Sequence, residues 1–299
     1  MRGRELLALI LCAGCGAVPK AAPAPAIGLR ADHVLVDAGG EPFTEYVTAA
    51  PFPMLFPLRA PGGVPVTATA PADHLHHRSL WFAHGDVNGV DFWTGKGTIV
   101  SIGCELDAGA ACIRAQDVWR APDGSEVCRD RRTLHFAAGA DWRTVDFDVE
   151  LLASNGELRL GDTKEGTMAL RLRPELALTG AVARGTAQNS EGVTGVQVWG
   201  KRARWVAYAA VVDGQQLCVA MFDHPQNPAY PTWWHARDYG LFAANPFGVH
   251  DFTGGPAGAG ARTVPEGGSM RFRYRVWLHR GTADAKAIDA ACAEWLAGR

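Results

Sequence analysis

A chain of 299 residues, 47% hydrophobic and 20% charged, is long enough for one large core or two small ones, and its composition argues against disorder. Its 29 basic and 31 acidic residues nearly cancel, and no basic stripe is present, which argues against nucleic acid as a partner. The 35 glycines and 18 prolines suit many short strands joined by turns.

At the N-terminus, Arg2 and Arg4 precede an apolar run at residues 6–13 that is too short to span a bilayer. Residues 11–15, LCAGC, resemble a bacterial lipoprotein processing box with Cys15 as the lipidated residue. The expected organisation is a signal peptide at 1–15, a Pro/Ala tether at 16–26 and a single β-sandwich domain at 27–299. Ordinary secretory cleavage nearby is the alternative. Either way the protein is expected to be exported, periplasmic or at the cell surface, with the membrane reached only through an N-terminal lipid. Five cysteines follow: Cys104, Cys112, Cys128, Cys218 and Cys292. Export permits disulfides, and Cys104 and Cys112 flank a turn that could bring them face to face; buried free thiols are the other reading.

Alternating apolar residues and turn signals run from residue 27 onward. DAGGE at 37–41 is a hairpin turn between HVLV and PFTEYV. Pro51, Pro53 and Pro57 break the next run, and APGG at 60–63 marks a second turn. Later strand runs are expected at 98–102, 111–120, 131–137, 144–152, 158–160, 168–172, 193–199, 204–210, 216–222 and 269–278. Their spacing predicts an all-β sandwich or barrel rather than alternating β and α units. Only residues 282–296 read as a helix, with Thr282 as N-cap and Ile288, Ala291, Cys292, Trp295 and Leu296 on one face.

The stretch most loaded with chemistry is 71–93, PADHLHHRSLWFAHGDVNGVDFW. Ligand-type side chains among large aromatics suggest a walled pocket. On an extended chain His74 and His76 point the same way and could chelate a divalent metal ion, while His77 points opposite. A polar loop pinned by hydrogen bonds is the plainer reading. Arg78 suits a carboxylate or a hydroxyl pair, or a structural salt bridge; Trp81 and Asn88 complete the candidate substrate-binding set there.

Three further clusters stand out. At 161–166, GDTKEG, Asp162 and Glu165 could pair, with Lys164 tuning one of them; a charged turn is the alternative. At 222–237, FDHPQNPAYPTWWHAR, a proline-stiffened loop carries His224, Trp233, Trp234, His235 and Arg237, with the tryptophans suited to sugar faces. At 241–251, Asn245 and His250 could line the same mouth or simply cap a loop. Serine-hydrolase elbows and nucleotide-binding glycine fingerprints are missing, which argues against those chemistries.

DHLHHRSLWFAHGDVNGVDFW, GDTKEGTMALRL, MFDHPQNPAYPTWWHARDYGLFAANPFG and RYRVWLHRG together resemble the bacterial PmoA-like family, of unknown function and once labelled methane oxygenase, over residues 57–281. The family motif looks like DHPHHRGLW; here Leu75 and Ser79 replace its Pro and Gly, which loosens the inference about loop shape. The resemblance implies a large β-sandwich, with the galactose-mutarotase supersandwich as a candidate, and company with sugar-modifying oxidoreductases. The methane label fails on physical grounds: a particulate methane monooxygenase subunit spans the membrane several times, and no segment after the signal has that length.

The expected function is therefore action on carbohydrate, as an epimerase, lyase or hydrolase. His76, His77, Glu165, His224 and His235 are the candidate catalytic groups. Arg78, Trp81, Asn88, Lys164, Trp234 and Arg237 would bind substrate, and His74 and His76 a metal. The alternatives are a non-catalytic glycan-binding lipoprotein and a metal-dependent oxygenase.

Overall fold

The structure, a computed structural model, describes residues 25–30, 33–49 and 51–298. Signal peptide, Cys15 and most of the tether lie outside the described residues. The first strands are β1 (Pro25–Arg30), β2 (His33–Ala38), β3 (Glu41–Val47), β4 (Met54–Leu55), β5 (Leu80–His84), β6 (Thr98–Asp107), β7 (Cys112–Arg120), β8 (Glu126–Ala138) and β9 (Trp142–Leu152). They are followed by β10 (Leu158–Leu160), β11 (Gly166–Arg171), β12 (Thr186–Asn189), β13 (Trp205–Val212), β14 (Gln215–Asp223), β15 (Trp233–Ala236), β16 (Leu241–Asn245), β17 (Arg262–Val264) and β18 (Ser269–Arg280). Two α-helices, α1 (Val249–Thr253) and α2 (Ala285–Ala297), complete the set.

The fold is all-β, as expected: two eight-stranded antiparallel sheets packed face to face. One has the order β1-β2-β3-β4-β5-β11-β16-β15, the other β12-β13-β14-β18-β9-β8-β7-β6. Their inner faces meet through edge-on and tilted aromatic pairs, Phe82 with Phe272 and Trp119, Tyr208 with Phe242, and Phe43 with Phe136. Such contacts add to the burial term that dominates a β-sandwich core. Helix α2 covers the outer face of the second sheet, burying Ile288, Cys292 and Trp295 against Trp205, Phe222 and Trp277. Among the described residues no helix is long and apolar enough to cross a membrane.

Several local expectations are corrected. The N-cap of α2 is Asp284, whose side chain accepts from the Lys286 N–H, rather than Thr282. Residues 193–199 are not a strand: Gly195 adopts φ +62° and Gly195–Val198 forms a 3-10 turn. The hairpin between β6 and β7 exists, but its register pairs Cys112 with Asp107 and Cys104 with Ala115. The two thiols therefore do not face each other, and all five described cysteines are free.

Candidate functional site

Register decides which side chains share a face. Four neighbouring strands of the first sheet align Trp81, Ala169, Ala243 and His235 in one row. The adjacent row, with Phe82, Met168, Ala244 and Trp234, faces the second sheet: Phe82 meets Phe272 of β18, and Trp234 packs on Phe242, which meets Tyr208 of β13. The first row therefore lies on the outer face of its sheet. Two alanines at its centre leave room above the sheet for larger side chains from loops.

That room is filled by the histidine-rich loop. It is not extended: His74 N donates to Pro71 O and His77 N to His74 O, two successive turns. His74 and His77 consequently stack, with centroids 4.5 Å apart and planes 2° from parallel. His76 stands edge-on to both. The expectation that His74 and His76 share one side and His77 the other is corrected by these turns. Tyr239, at the tip of the β15–β16 hairpin, stacks on His74 at 4.6 Å and lies 6.1 Å from His77, so the three rings form a cluster rather than a column. Trp81 and Trp93 back the cluster from below, 5.9 and 6.2 Å from His77.

Arg171, two residues along β11 from Ala169, anchors the loop. Its Nη2 donates to Asp73 Oδ2 at 2.7 Å and its Nη1 to His77 Nδ1 at 3.2 Å. A guanidinium can only donate, so His77 Nδ1 is an acceptor and the neutral ring carries its proton on Nε2. Burial, the two neighbouring imidazoles and Arg171 drive the His77 pKa down to about 2. For Asp73, burial works upward, but Arg171 and His74 outweigh it and hold the carboxyl at about 2. His74 Nδ1 lies 3.0 Å from the same carboxylate.

The second side of the cluster comes from residues 161–166 and β15. Gly85 donates its N–H to Glu165 O at 2.7 Å, and a Cβ on Gly85 would come within 2.8 Å of Glu165 Cβ, so glycine is required there. His235, 3% exposed, donates Nδ1–H to Lys164 O at 2.9 Å, which leaves Nε2 as a bare lone pair on the neutral ring. Burial lowers its pKa to about 4, against the opposing charge of Glu165. Lys164 Nζ sits 3.1 Å from the Glu165 carboxylate, which is 31% exposed. Glu165 is close enough for its charge to act on His76, His235 and Tyr239 alike. Burial lowers the His76 pKa and raises that of Tyr239, so the first is a neutral imidazole and the second a protonated phenol near pH 7.

The sequence-derived candidates thus divide. His74, His76, His77, Glu165, Lys164, His235 and Arg237 come together; Arg237 lies over Tyr239 at 5.6 Å. Arg78 is at the margin, donating to the Leu75 and His77 carbonyls with its guanidinium over Phe52. Trp81 is fully buried and forms the floor rather than a sugar platform. His224 ends a strand of the other sheet and packs edge-on against Trp295 of α2. Trp234 points into the inter-sheet core and donates Nε1–H to Ala203 O. Asn88 is remote, exchanging hydrogen bonds with the main chain at 157 and 159. Asp162 does not pair with Glu165; it accepts from His250 N and Gly260 N. Asn245 accepts from Phe247 N, and exposed His250 bonds the Gly255 carbonyl.

Arg171 and Tyr239 join the site without having been singled out from sequence, and Asp73, part of the histidine-rich stretch, joins it through Arg171. Asp223, also missed, positions it: its two oxygens accept from Asn227 Nδ2 and Thr232 N, tying down the loop that leads into β15, and burial raises its pKa to about 7. Among the described residues no group of three His, Cys, Asp or Glu is gathered in metal-ligating geometry. Among the described residues His74 and His76 stand edge-on to each other, and the neighbouring Asp73 and His77 are held by Arg171.

No curated protein matches the chain. Among solved structures it is similar to a galactose mutarotase-like protein from Clostridium acetobutylicum, at 10% identity and TM-score 0.42, covering 86% of this chain and 98% of that one. It is also similar to the Slr1438 protein from Synechocystis, at 10% identity and TM-score 0.37, covering 90% and 99%. A third is the 4-alpha-glucanotransferase from Thermococcus litoralis, at 8% and 0.38, covering 87% and 40%. Likenesses at this level carry no argument about the site. A family model matches residues 33–293 and overturns the resemblance to the PmoA-like family, to which nothing else points. The chain belongs to the family described as a family of unknown function, DUF6807.

Proposed function

We propose that this protein acts on a carbohydrate by proton transfer, as an epimerase or lyase, at the cluster of His74, His76, His77, Tyr239, Glu165 and His235. The observation that carries the reading is convergence: imidazoles more than 150 positions apart meet beside one partly exposed carboxylate, on one face of one sheet. Glu165 would take a proton from carbon beside a sugar carbonyl. The protonated Tyr239 phenol and the neutral His76 ring would donate hydrogen bonds to the oxygen on which charge develops.

Proton transfer is favoured over hydrolysis because hydrolysis usually needs two working carboxylates. Here Asp73 is neutralised by Arg171, which leaves Glu165 as the reactive one within the cluster. The test is incubation with ordinary and carbonyl-bearing glycosides in D2O, followed by proton NMR. Deuterium uptake at a sugar carbon, lost in Glu165→Gln, supports the reading. Binding without exchange or turnover would make the protein a glycan-binding module instead.

Export and lipid anchoring through Cys15 belong to the same proposal. They are supported by the charged, apolar and small-residue order of the first 15 residues. Partition of the expressed protein into a detergent phase, abolished by Cys15→Ala, tests the anchor.

A further inference from the structure

We propose that the substrate is an anionic sugar of the uronate or aldonate class, whose carboxylate is held by Arg237. This rests on the carbohydrate reading above and adds the charge of the ligand. The cationic side chains around Tyr239 are unequal. Arg171 is matched by Asp73 at 2.7 Å, and Lys164 by Glu165 at 3.1 Å. Arg237 has no carboxylate or hydrogen-bond partner for its guanidinium among the described residues; the guanidinium lies over the Tyr239 ring, 5.6 Å from Cζ. Half-buried, it lines a cavity of about 250 Å³ with Trp199, Val196, Ala236 and Asp238. The Asp238 carboxylate on the same wall accepts from Thr179 Oγ1 at 3.1 Å and makes no ion pair with Arg237, so it adds a negative charge that disfavours a dianion there.

An unmatched guanidinium at the wall of a cavity presents a planar fork of donors suited to a carboxylate. It supplies one positive charge, which suits a monoanion better than a phosphate dianion. The Trp199 ring lines the same cavity, and its indole N–H, itself buried, has no hydrogen-bond partner among the described residues. The volume falls below the ~300–1,000 Å³ of sites for drug-sized ligands. It suits one sugar ring rather than a chain. Arg237 links this cavity to the histidine cluster, since its guanidinium lies 5.6 Å from the Tyr239 ring that stacks on His74. A carboxylate on Arg237 would therefore place the rest of the ring toward Glu165 and His76.

The experiment is calorimetric titration of the whole protein with glucuronate, galacturonate, glucose, galactose and glucose 6-phosphate at low and high salt. Expected is at least tenfold tighter binding of a uronate than of its neutral counterpart, reduced by salt. Arg237→Gln should erase that preference, and Arg237→Lys should restore part of it. Unfolding midpoints of both variants near wild type would exclude misfolding as the cause. Equal binding of uronate and neutral sugar overturns the inference while leaving the carbohydrate reading intact. Tighter binding of the sugar phosphate overturns the carboxylate assignment. If no sugar binds at all, the carbohydrate reading itself fails and this inference falls with it.

Discussion

Arg171 and Asp73, 98 positions apart in the chain, are joined at 2.7 Å, and the same guanidinium donates to His77. One strand residue thus fixes both the position of the histidine loop and the tautomer of its central ring. Arg171→Met is expected to destabilise the fold by about 2 kcal/mol. That is less than the ~3–5 kcal/mol for breaking a fully buried pair, because Asp73 is 44% exposed. Urea unfolding measures the change. Loss of the loop geometry should also remove sugar binding, even where the fold survives.

Acid should weaken the protein in a defined window. His235 and His77 titrate near 4 and 2 in the folded state against 6.5 ordinarily. Below pH 6.5 these two rings bind more protons in the unfolded chain than in the folded one, so their contribution to stability rises with pH across this window. The contribution is fully present above pH 6.5 and is lost as pH falls through 4, amounting to up to about 3 kcal/mol for His235. Asp73 adds a further loss between its ordinary 3.8 and about 2. Asp223, raised to about 7, works the other way over the same window, so the readout is a difference: between pH 7 and 4 the denaturant midpoint of wild type should lose more, or gain less, than that of His235→Gln.

Room above the sheet depends on two small side chains. Ala243 is fully buried between Ala169 and His235 in the row that starts at Trp81. Ala243→Leu should cost about 1–3 kcal/mol through overpacking and displace the His235 ring. Ala210→Val, in the opposite sheet, should leave sugar binding near wild type. Thermal unfolding and calorimetry on the two variants distinguish a local effect on the site from a general loss of packing.

Catalytic loss should follow the observed partition of the histidines. Replacing Glu165 or His76 by glutamine is expected to lower turnover by about 10²–10⁴-fold. His224→Gln should change it little, because that ring packs on α2 at the other sheet. Initial rates on the same substrate, with circular dichroism as a folding control, check this.

The all-β class, the 37–41 hairpin and the apolar face of α2 were legible because period-two alternation, a Gly-Gly turn and the 3.6-residue repeat are local signals. So was the density of imidazole at 74–77. What was not legible depended on which side of a strand each residue occupies. Trp233 and Trp234 look like a pair in sequence, yet in β15 they point to opposite faces, and only Trp234 enters the core. Arg171 reads as the end of an ordinary strand, and Tyr239 as part of a turn. Their roles arise from cross-strand register and from loop closure over a hundred residues, for which the sequence carries no local mark. His224 was misleading for the same reason: it shares a loop with His235 but belongs to the other sheet.

The central claim is that one group of imidazoles on the outer face of the first sheet meets the sugar. The most direct measurement is the ring carbon–proton NMR spectrum of the ten histidines, assigned by substitution, before and after saturation with the sugar that binds best. Shifts are expected at His74, His76, His77 and His235 and none at His224 or His250. Shifts at His224 or His250 with the cluster unmoved, or no shift with any sugar, would contradict it.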